Sequence, residues 1–354
     1  MNELDLKLGS INEKSADPKF IQIAHRIREL IDAGQLACGD KLPSVNRIIE
    51  HFSVSRDTAI KAYQELKNLG IVESSPCKGY FVGNVCRKEG QKRIILLVDE
   101  LSWYKDKIYQ GLVDHLPEGF YVERFCHSDD FDLLKHLYER HCSRPDIAAI
   151  LIIPTAGQSR DAQYFRFINP GKILFLDRRV PGTPHSAVYQ DFTAGLYEAL
   201  DAERNTLATY RRLVFVTRLS ANPVTEDIAQ GFTLFCASLG IPFARIRALF
   251  TETQIRGTLA FEHGDLIVTL DDLLLAEVLR SCEERAWMPG TDVGLIALND
   301  GPFYSRLRPV PISTLSADFY RMGELAASFV TSGAIEPKRI PTRLAVRASL
   351  AGHP

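Results

Sequence analysis

No sign of charge dominates this chain: its 354 residues carry 42 Lys and Arg against 44 Asp and Glu, a formal charge of −2. Acidic and basic side chains are close to balance in the first 83 residues as well, so net charge does not point to a nucleic-acid or membrane partner, and any DNA-binding argument must rest on pattern. Long apolar runs are also missing. The longest, such as Ile94–Val98 and Ala148–Ile153, fall far short of the roughly 20 residues that span a bilayer. The start Met1-Asn2-Glu3-Leu4-Asp5 has no basic-then-apolar order of a secretory leader, which predicts a cytoplasmic address and no membrane partner. The seven cysteines (Cys38, Cys77, Cys86, Cys126, Cys142, Cys236, Cys282) are odd in number, with no C-x-x-C pair and no interleaved His spacing. Free thiols and no bound metal are expected. G-x-S-x-G, H-E-x-x-H and P-loop patterns are absent too, so neither enzyme activity nor a cofactor is expected. What remains is a chain with 45% hydrophobic residues, enough for ordinary buried cores in two or more domains.

The first pattern lies near the N-terminus. After Asp17-Pro18, apolar residues Phe20, Ile21, Ile23, Ala24, Ile27, Leu30 and Ile31 recur at helical spacing up to Gly34. Gly39-Asp40-Lys41-Leu42-Pro43-Ser44 then leads into a short helix carrying Val45, Ile48, Ile49 and Phe52, with Ser44 placed to cap it. Ser55 is placed to cap a further helix through Ala59, Ile60, Ala62, Tyr63, Leu66 and Leu69, ending at Gly70. Two capped helices about three residues apart make a helix-turn-helix. Arg56, Asp57, Thr58 and Lys61 occupy the first two turns of the second helix, where a recognition helix meets base edges and phosphates. The stretch from Ile71 to Val82, broken by Pro76 and Gly79, predicts two short strands forming a wing, with Lys78 and Tyr80 at or near its tip. The rival reading is a small helical domain on which Arg56 and Lys61 are merely solvated. The wing in the right order favours DNA.

The runs Pro43-Ser44, Val54-Ser55-Arg56-Asp57-Thr58-Ala59, Ala62-Tyr63-Gln64-Glu65-Leu66, Leu69-Gly70-Ile71-Val72 and Lys78-Gly79-Tyr80-Phe81-Val82 closely resemble the DNA-binding domain of the GntR family. The resemblance implies operator contacts from Ser44, Ser55, Arg56, Thr58 and Lys61, and close approach of the wing through Gly79. Where the family often has Glu-Arg after Leu-Pro-Ser, this chain has Val45-Asn46-Arg47. Asn46 or Arg47 is then the candidate for that arginine's contact.

Residues 84–93 are polar and basic (Arg87, Lys88, Lys92, Arg93), with Gly90 and no apolar period, and read as a solvated linker. From Ile94 onward, short apolar segments alternate with amphipathic helical ones. Ile94–Val98, Tyr121–Phe125, Ala148–Ile153, Ile173–Asp177, Leu213–Thr217, Leu266–Leu270 and Val293–Leu298 are predicted strands of a doubly wound α/β plan. About 260 residues with this many strands predict two lobes and a cleft. Polar residues cluster just past strand ends: Asp99, Glu100, Trp103 and Tyr104; Asp177, Arg178 and Arg179; Asp271 and Asp272; Asn299 and Asp300. Carboxylates, amides and arginine forks hydrogen-bond vicinal hydroxyls, and aromatic rings pack on the apolar face of a pyranose. The combination suits a sugar. Taken singly, Asp271, Asp272 or Asp191 could instead cap a helix, and Trp103 could belong to the core.

Phe175-Leu176-Asp177-Arg178, Val188–Thr193, Gln230-Gly231-Phe232, Leu270-Asp271-Asp272, Asp292–Asp300, Ile312–Leu315 and Ile340–Ser349 resemble the LacI/GalR effector domains with the periplasmic-binding-protein fold. The resemblance implies effector contacts from Asp177 or Arg178, Asp191, Asp271 or Asp272, and Asn299 or Asp300, and a homodimer. Ile228 replaces an arginine that often binds sugar hydroxyls in that group, with Glu226 or Asp227 as possible substitutes. The expected architecture is multidomain: a winged helix-turn-helix, mostly α with a β wing, over 1–83, a linker over 84–93, and a two-lobed α/β periplasmic-binding-protein-like domain over 94–354. The expected function is transcription regulation on double-stranded operator DNA under a small carbohydrate-like effector, a pentose or deoxyhexose such as arabinose or fucose. The alternatives are a fused pyridoxal-phosphate aminotransferase-like enzyme, disfavoured because only Lys338 follows Lys172, and a sugar-binding protein without DNA activity.

Overall fold

The computed structural model describes residues 8–12, 18–32, 35–36, 40–68, 71–75, 79–82, 91–219, 222–250, 255–256 and 259–350. Asp17, Gly34, Gly39, Leu69, Gly70, the turn Pro76-Cys77-Lys78, Cys38, Cys86 and linker residues 84–90, with Arg87, Lys88 and Gly90, lie outside the described residues. The chain divides into two compact units. One comprises Met1–Leu96, Pro117–Phe125 and His141–Ala148, the other Leu97–Leu116, Cys126–Arg140 and Ala149–Pro354.

In the first unit, α1 (Lys19–Asp32), α2 (Val45–Phe52) and α3 (Arg56–Asn68) precede the hairpin of β1 (Val72–Ser75) and β2 (Gly79–Val82). The two strands pair antiparallel, Val72 opposite Val82 and Ser75 opposite Gly79. The predicted caps form: Ser44 Oγ accepts from the Arg47 amide at 3.2 Å, and Ser55 Oγ accepts from the Thr58 amide at 3.2 Å. Each satisfies an amide that the helix leaves unbonded. The chain turns out of α2 at Ser53, which sits in the left-handed region at φ 51 and donates its amide to Ile49 O. The helical stripes converge on one core of Ile23, Ile27, Ile48, Phe52, Ala62, Tyr63 and Leu66, closed by Val72 and Val82. Burying each large apolar side chain there contributes about 1.5–3 kcal/mol. Tyr63 ties the parts together, donating to Pro43 O and stacking on Tyr80 at 4.1 Å between ring centroids.

β3 (Lys92–Val98) begins inside the expected linker. Arg93 is not a solvated linker residue. It is 2% exposed, with its guanidinium 3.2 Å from Glu123 and 3.0 Å from Asp146, because a buried cation requires paired carboxylates. Glu123 also meets Arg28 of α1 at 3.2 Å.

The α/β part contains two sheets. The first has the order β14-β7-β6-β5-β3-β4, with β4 Phe120–Cys126, β5 Ile147–Ile152, β6 Ile173–Asp177, β7 Ser186–Tyr189 and β14 Lys338–Arg339. The second has the order β10-β9-β8-β11-β12-β13-β15, with β8 Arg212–Arg218, β9 Phe243–Phe250, β10 Ile255–Arg256, β11 Asp265–Thr269, β12 Gly294–Leu298, β13 Ser313–Ala317 and β15 Thr342–Ala345. All seven predicted strands are present, within two residues of their predicted ends. Those of the second sheet, β8, β11 and β12, run parallel, and helices cover both faces. Leu213, Phe215, Leu266 and Val268 face one core with Phe232 and Phe235. Val214, Val216 and Ile267 face the other with Leu274 and Val278. Both faces are buried, which is why these strands read as unbroken apolar runs.

Helix α4 (Trp103–His115) packs closely against a later helix, here called αC (Phe319–Ser332), through Gly111 and Gly323. A Cβ on Gly323 would overlap the Ile108 carbonyl oxygen and lie 2.6 Å from the Leu112 amide nitrogen, both backbone atoms of α4. Substituting Gly323 by Ala is therefore expected to destabilise the chain by about 1–3 kcal/mol, read from urea unfolding. An unchanged midpoint would show that the helices separate without cost.

Candidate functional site

A cavity of about 670 Å³ lies within the second unit, inside the size range of small-molecule sites. It opens at the carboxyl ends of both sheets. Asp99 through Tyr104 follow β3, Asp177 and Arg178 close β6, and Gln190 follows β7. From the other sheet come Arg218 at the end of β8, Leu270 to Asp272 after β11, and Leu298 with Asn299 at the end of β12. Open α/β sheets bind ligands at such edges because loops converge there while the strands hold them rigid. Asp129, Asp177 and Asn299 also line the cavity and adopt positive φ of 58, 67 and 64. Asp and Asn tolerate the left-handed region better than other side-chain-bearing residues, so three strand-end turns are bent where the cavity forms.

The polar floor is an ion network. Asp99 accepts from both Lys105 and Arg178, whose side chains are 1% and 6% exposed. Lys105 also lies 3.5 Å from Glu100, and Arg178 Nε lies 3.5 Å from Asp177. Burial would raise the Asp99 pKa, but the charges of Arg178 and Lys105 outweigh it and hold the carboxyl below its usual range. Gln190 Nε2 donates to Asp177 Oδ1 at 2.6 Å. Tyr104 donates to Glu100 at 3.1 Å, and burial followed by the charge of Asp177 keeps its hydroxyl protonated well above the ordinary tyrosine range.

Across the cavity Tyr304 donates to Asp272. Burial, and then the bond to Asp272, pushes that hydroxyl's pKa far up, so it remains a donor at every physiological pH. Asp271 is the helix cap that sequence reasoning kept open. Its Oδ1 accepts from the Leu273 and Leu274 amides, both at 3.1 Å, and its Oδ2 accepts from Arg218 at 2.7 Å.

The cavity thus brings together Asp99, Glu100, Trp103, Tyr104, Asp177, Arg178, Asp271, Asp272 and Asn299 among the polar and aromatic residues named from sequence. Asp191 and Asp300 are not among its lining residues. Asp191 caps the next helix through the Thr193 and Ala194 amides at 3.0 and 2.7 Å. Asp300 takes a bidentate pair from Arg347 at 2.8 and 2.9 Å. Ile228 does line the cavity, but Glu226 and Asp227 do not. Glu226 instead pairs with Arg245 at 2.7 Å. Arg218, Gln190, Asn222, Thr225 and Tyr304 were missed by sequence reasoning. Arg218 and Gln190 each stand at or just past a strand end, a signal that could have found them; Tyr304 arrives from a loop with no periodic signal.

The second set of candidates lies on the winged helix. Ser44, Asn46, Arg47, Ser55, Arg56 and Lys61 are exposed, and Thr58 is half-buried. Arg56 donates to Asn46 Oδ1 at 3.4 Å, so the two helices of the motif hold the guanidinium between them. Gly79 is exposed at φ 111, a conformation that favours glycine. Tyr80 is half-buried against Tyr63. Lys78 is outside the described residues. Among the described residues, no cluster of His, Cys, Asp or Glu is arranged to hold a metal ion, and no helix is long and apolar enough to cross a membrane.

Residues 21–82 match the family described as bacterial regulatory proteins, gntR family. A relative, the uncharacterized HTH-type transcriptional regulator YhcF of Bacillus subtilis (strain 168), is 32% identical over 109 residues, 30% of this chain and 80% of that one. The chain belongs to the gntR family. The HTH-type transcriptional repressor YtrA of the same organism is 27% identical over 114 residues, 32% of this chain and 83% of its own length. Residues 207–350 of this gntR-family chain match a periplasmic binding protein-like domain. A solved LacI family transcriptional regulator from Enterococcus faecium, with bound ribose, aligns over 73% of the chain and 99% of its own at a TM-score of 0.56 and 19% identity, which shows the fold. The gntR-family chain is therefore a transcription regulator, with a DNA-binding helix-turn-helix domain joined to a periplasmic-binding-protein-like domain, and the relatives named above are transcriptional regulators.

Removing Asp99 leaves two buried cations short of their shared carboxylate. Asp99→Ala is expected to cost about 3–5 kcal/mol of stability in denaturant unfolding. A loss below about 1 kcal/mol would mean that solvent screens the network as it does a surface pair.

Proposed function

We propose that this regulator binds double-stranded operator DNA as a homodimer in the cytoplasm and answers to a small carbohydrate-like effector held in the strand-end cavity. The carrying observation is the cavity lining: carboxylates and amides (Asp177, Asp272, Gln190, Asn299) beside aromatic rings (Trp103, Tyr104). Hydroxyl-rich ligands need that mixture, because each hydroxyl both donates and accepts while the ring face is apolar. The ribose reported with the E. faecium protein supports a pentose-sized occupant, and arabinose and fucose are the first sugars to try. On the DNA side, Arg56 and Lys61 sit exposed in the first turns of α3, where a recognition helix meets the major groove, and Ser44 and Ser55 stand at two helix N-termini suited to phosphate. A homodimer lets two such helices read a pseudo-palindrome.

The two halves are separable by mutation. Arg56→Ala should weaken operator binding by about 1–3 kcal/mol, measured by fluorescence anisotropy at fixed salt, and leave sugar binding intact. Unchanged operator binding would remove Arg56 from the reading set. Asp272→Asn keeps an acceptor for Tyr304; it should suppress the effector's influence on operator binding and leave the basal affinity unchanged. A normal response in that variant would reject Asp272 as an effector contact.

A further inference from the structure

We infer that the cavity selects uncharged or amino-bearing polyols and rejects phosphorylated and acid sugars, an inference that rests on the cavity being the effector site. Six carboxylates line it (Asp99, Glu100, Asp129, Asp177, Asp271, Asp272) against two cationic side chains, Arg178 and Arg218, with no lysine or histidine in the described lining; counting Lys105, buried behind Asp99 and Glu100, the carboxylates still outnumber the cations six to three. Both arginines are already engaged. Arg178 is committed to Asp99 and flanked by Asp177, and Arg218 donates to Asp271. Neither presents the open fork that binds a phosphate or carboxylate bidentately. An incoming anion would join a surplus of negative charge in the cavity, where like charges repel.

Proton bookkeeping points the same way. The lining carboxylates only accept hydrogen bonds, so a ligand must bring donors. Hydroxyl and ammonium groups donate; a phosphate dianion or a sugar carboxylate does not. Arg178 itself is 5% exposed, and its Nε is buried 3.5 Å from Asp177, so it is not offered to an incoming anion.

Helix N-termini are the one feature that favours anions, and here they are neutralised. The helix starting at Asp272 is capped by Asp271. The helix starting at Pro223 is capped by Asn222, which accepts from the Thr225 amide at 2.9 Å, and proline occupies its first position. α4 has no side-chain cap, but Asp99 and Glu100 lie three and two residues before its N-cap Ser102.

The test is titration calorimetry of the full chain with matched probes: D-ribose and D-ribose 5-phosphate, D-arabinose and D-arabinose 5-phosphate, D-glucosamine and D-gluconate. At least one neutral or amino sugar should bind, with its anionic counterpart weaker by at least about tenfold. Asp272→Asn should narrow that ratio. An anionic probe that binds as well as its neutral partner overturns the inference and leaves the sugar reading standing. A ratio unmoved in Asp272→Asn overturns it as well, by assigning the discrimination to size. Binding by none of the six overturns the sugar reading and this inference with it.

Discussion

Asp99 carries both Lys105 and Arg178 on one buried carboxylate, and the strand-end cavity depends on that arrangement. The three groups come from the end of β3, the first turns of α4 and the end of β6. Two buried cations without a shared carboxylate would each bear the desolvation cost of an uncompensated charge, so the network fixes these elements relative to one another. It also limits what the cavity presents. Arg178 and Lys105 are paired inside the network, and the lining combines carboxylates, amides and hydroxyls with aliphatic and aromatic side chains.

Much of this was legible in the sequence because the signals were periodic or positional. Apolar runs marked the seven strands, six of them largely buried on both faces and the edge strand β4 only half-buried, and Ser44 and Ser55 announced their helices by cap chemistry. The strands that escaped had weaker patterns. β7 is four residues long, and β9, Phe243–Phe250, mixes Arg245 and Arg247 with apolar residues. The linker reading failed at Arg93 because polarity alone cannot tell a solvated arginine from one paired twice in the interior.

The site was harder to read than the fold. A strand-end carboxylate has three uses that look alike in sequence: capping a helix, pairing with an arginine, or facing a ligand. Asp271 performs the first two at once, Asp191 the first, and Asp300 the second, while Asp272 is left with a tyrosine hydroxyl from a distant loop. Only three-dimensional partners separate these cases: the capped amides lie two or three residues on, whereas Arg218, Arg347 and Tyr304 lie 53, 47 and 32 residues from the carboxylates they meet. The same holds for Ile228: its apolar side chain lines the cavity from the helix Pro223–Leu239, in place of the arginine often found in the resembled group, while Arg218 supplies a guanidinium from the end of β8.

The proposed function links two affinities, one for operator and one for ligand, and equilibrium linkage makes their coupling reciprocal. The most direct measurement is the affinity of the best-binding sugar for the full chain, taken by calorimetry with and without saturating operator duplex. The account predicts that operator shifts sugar affinity by a factor in the range of about 5 to 150, and that the sugar shifts operator affinity by the same factor. Sugar affinity that is identical with and without operator would contradict it.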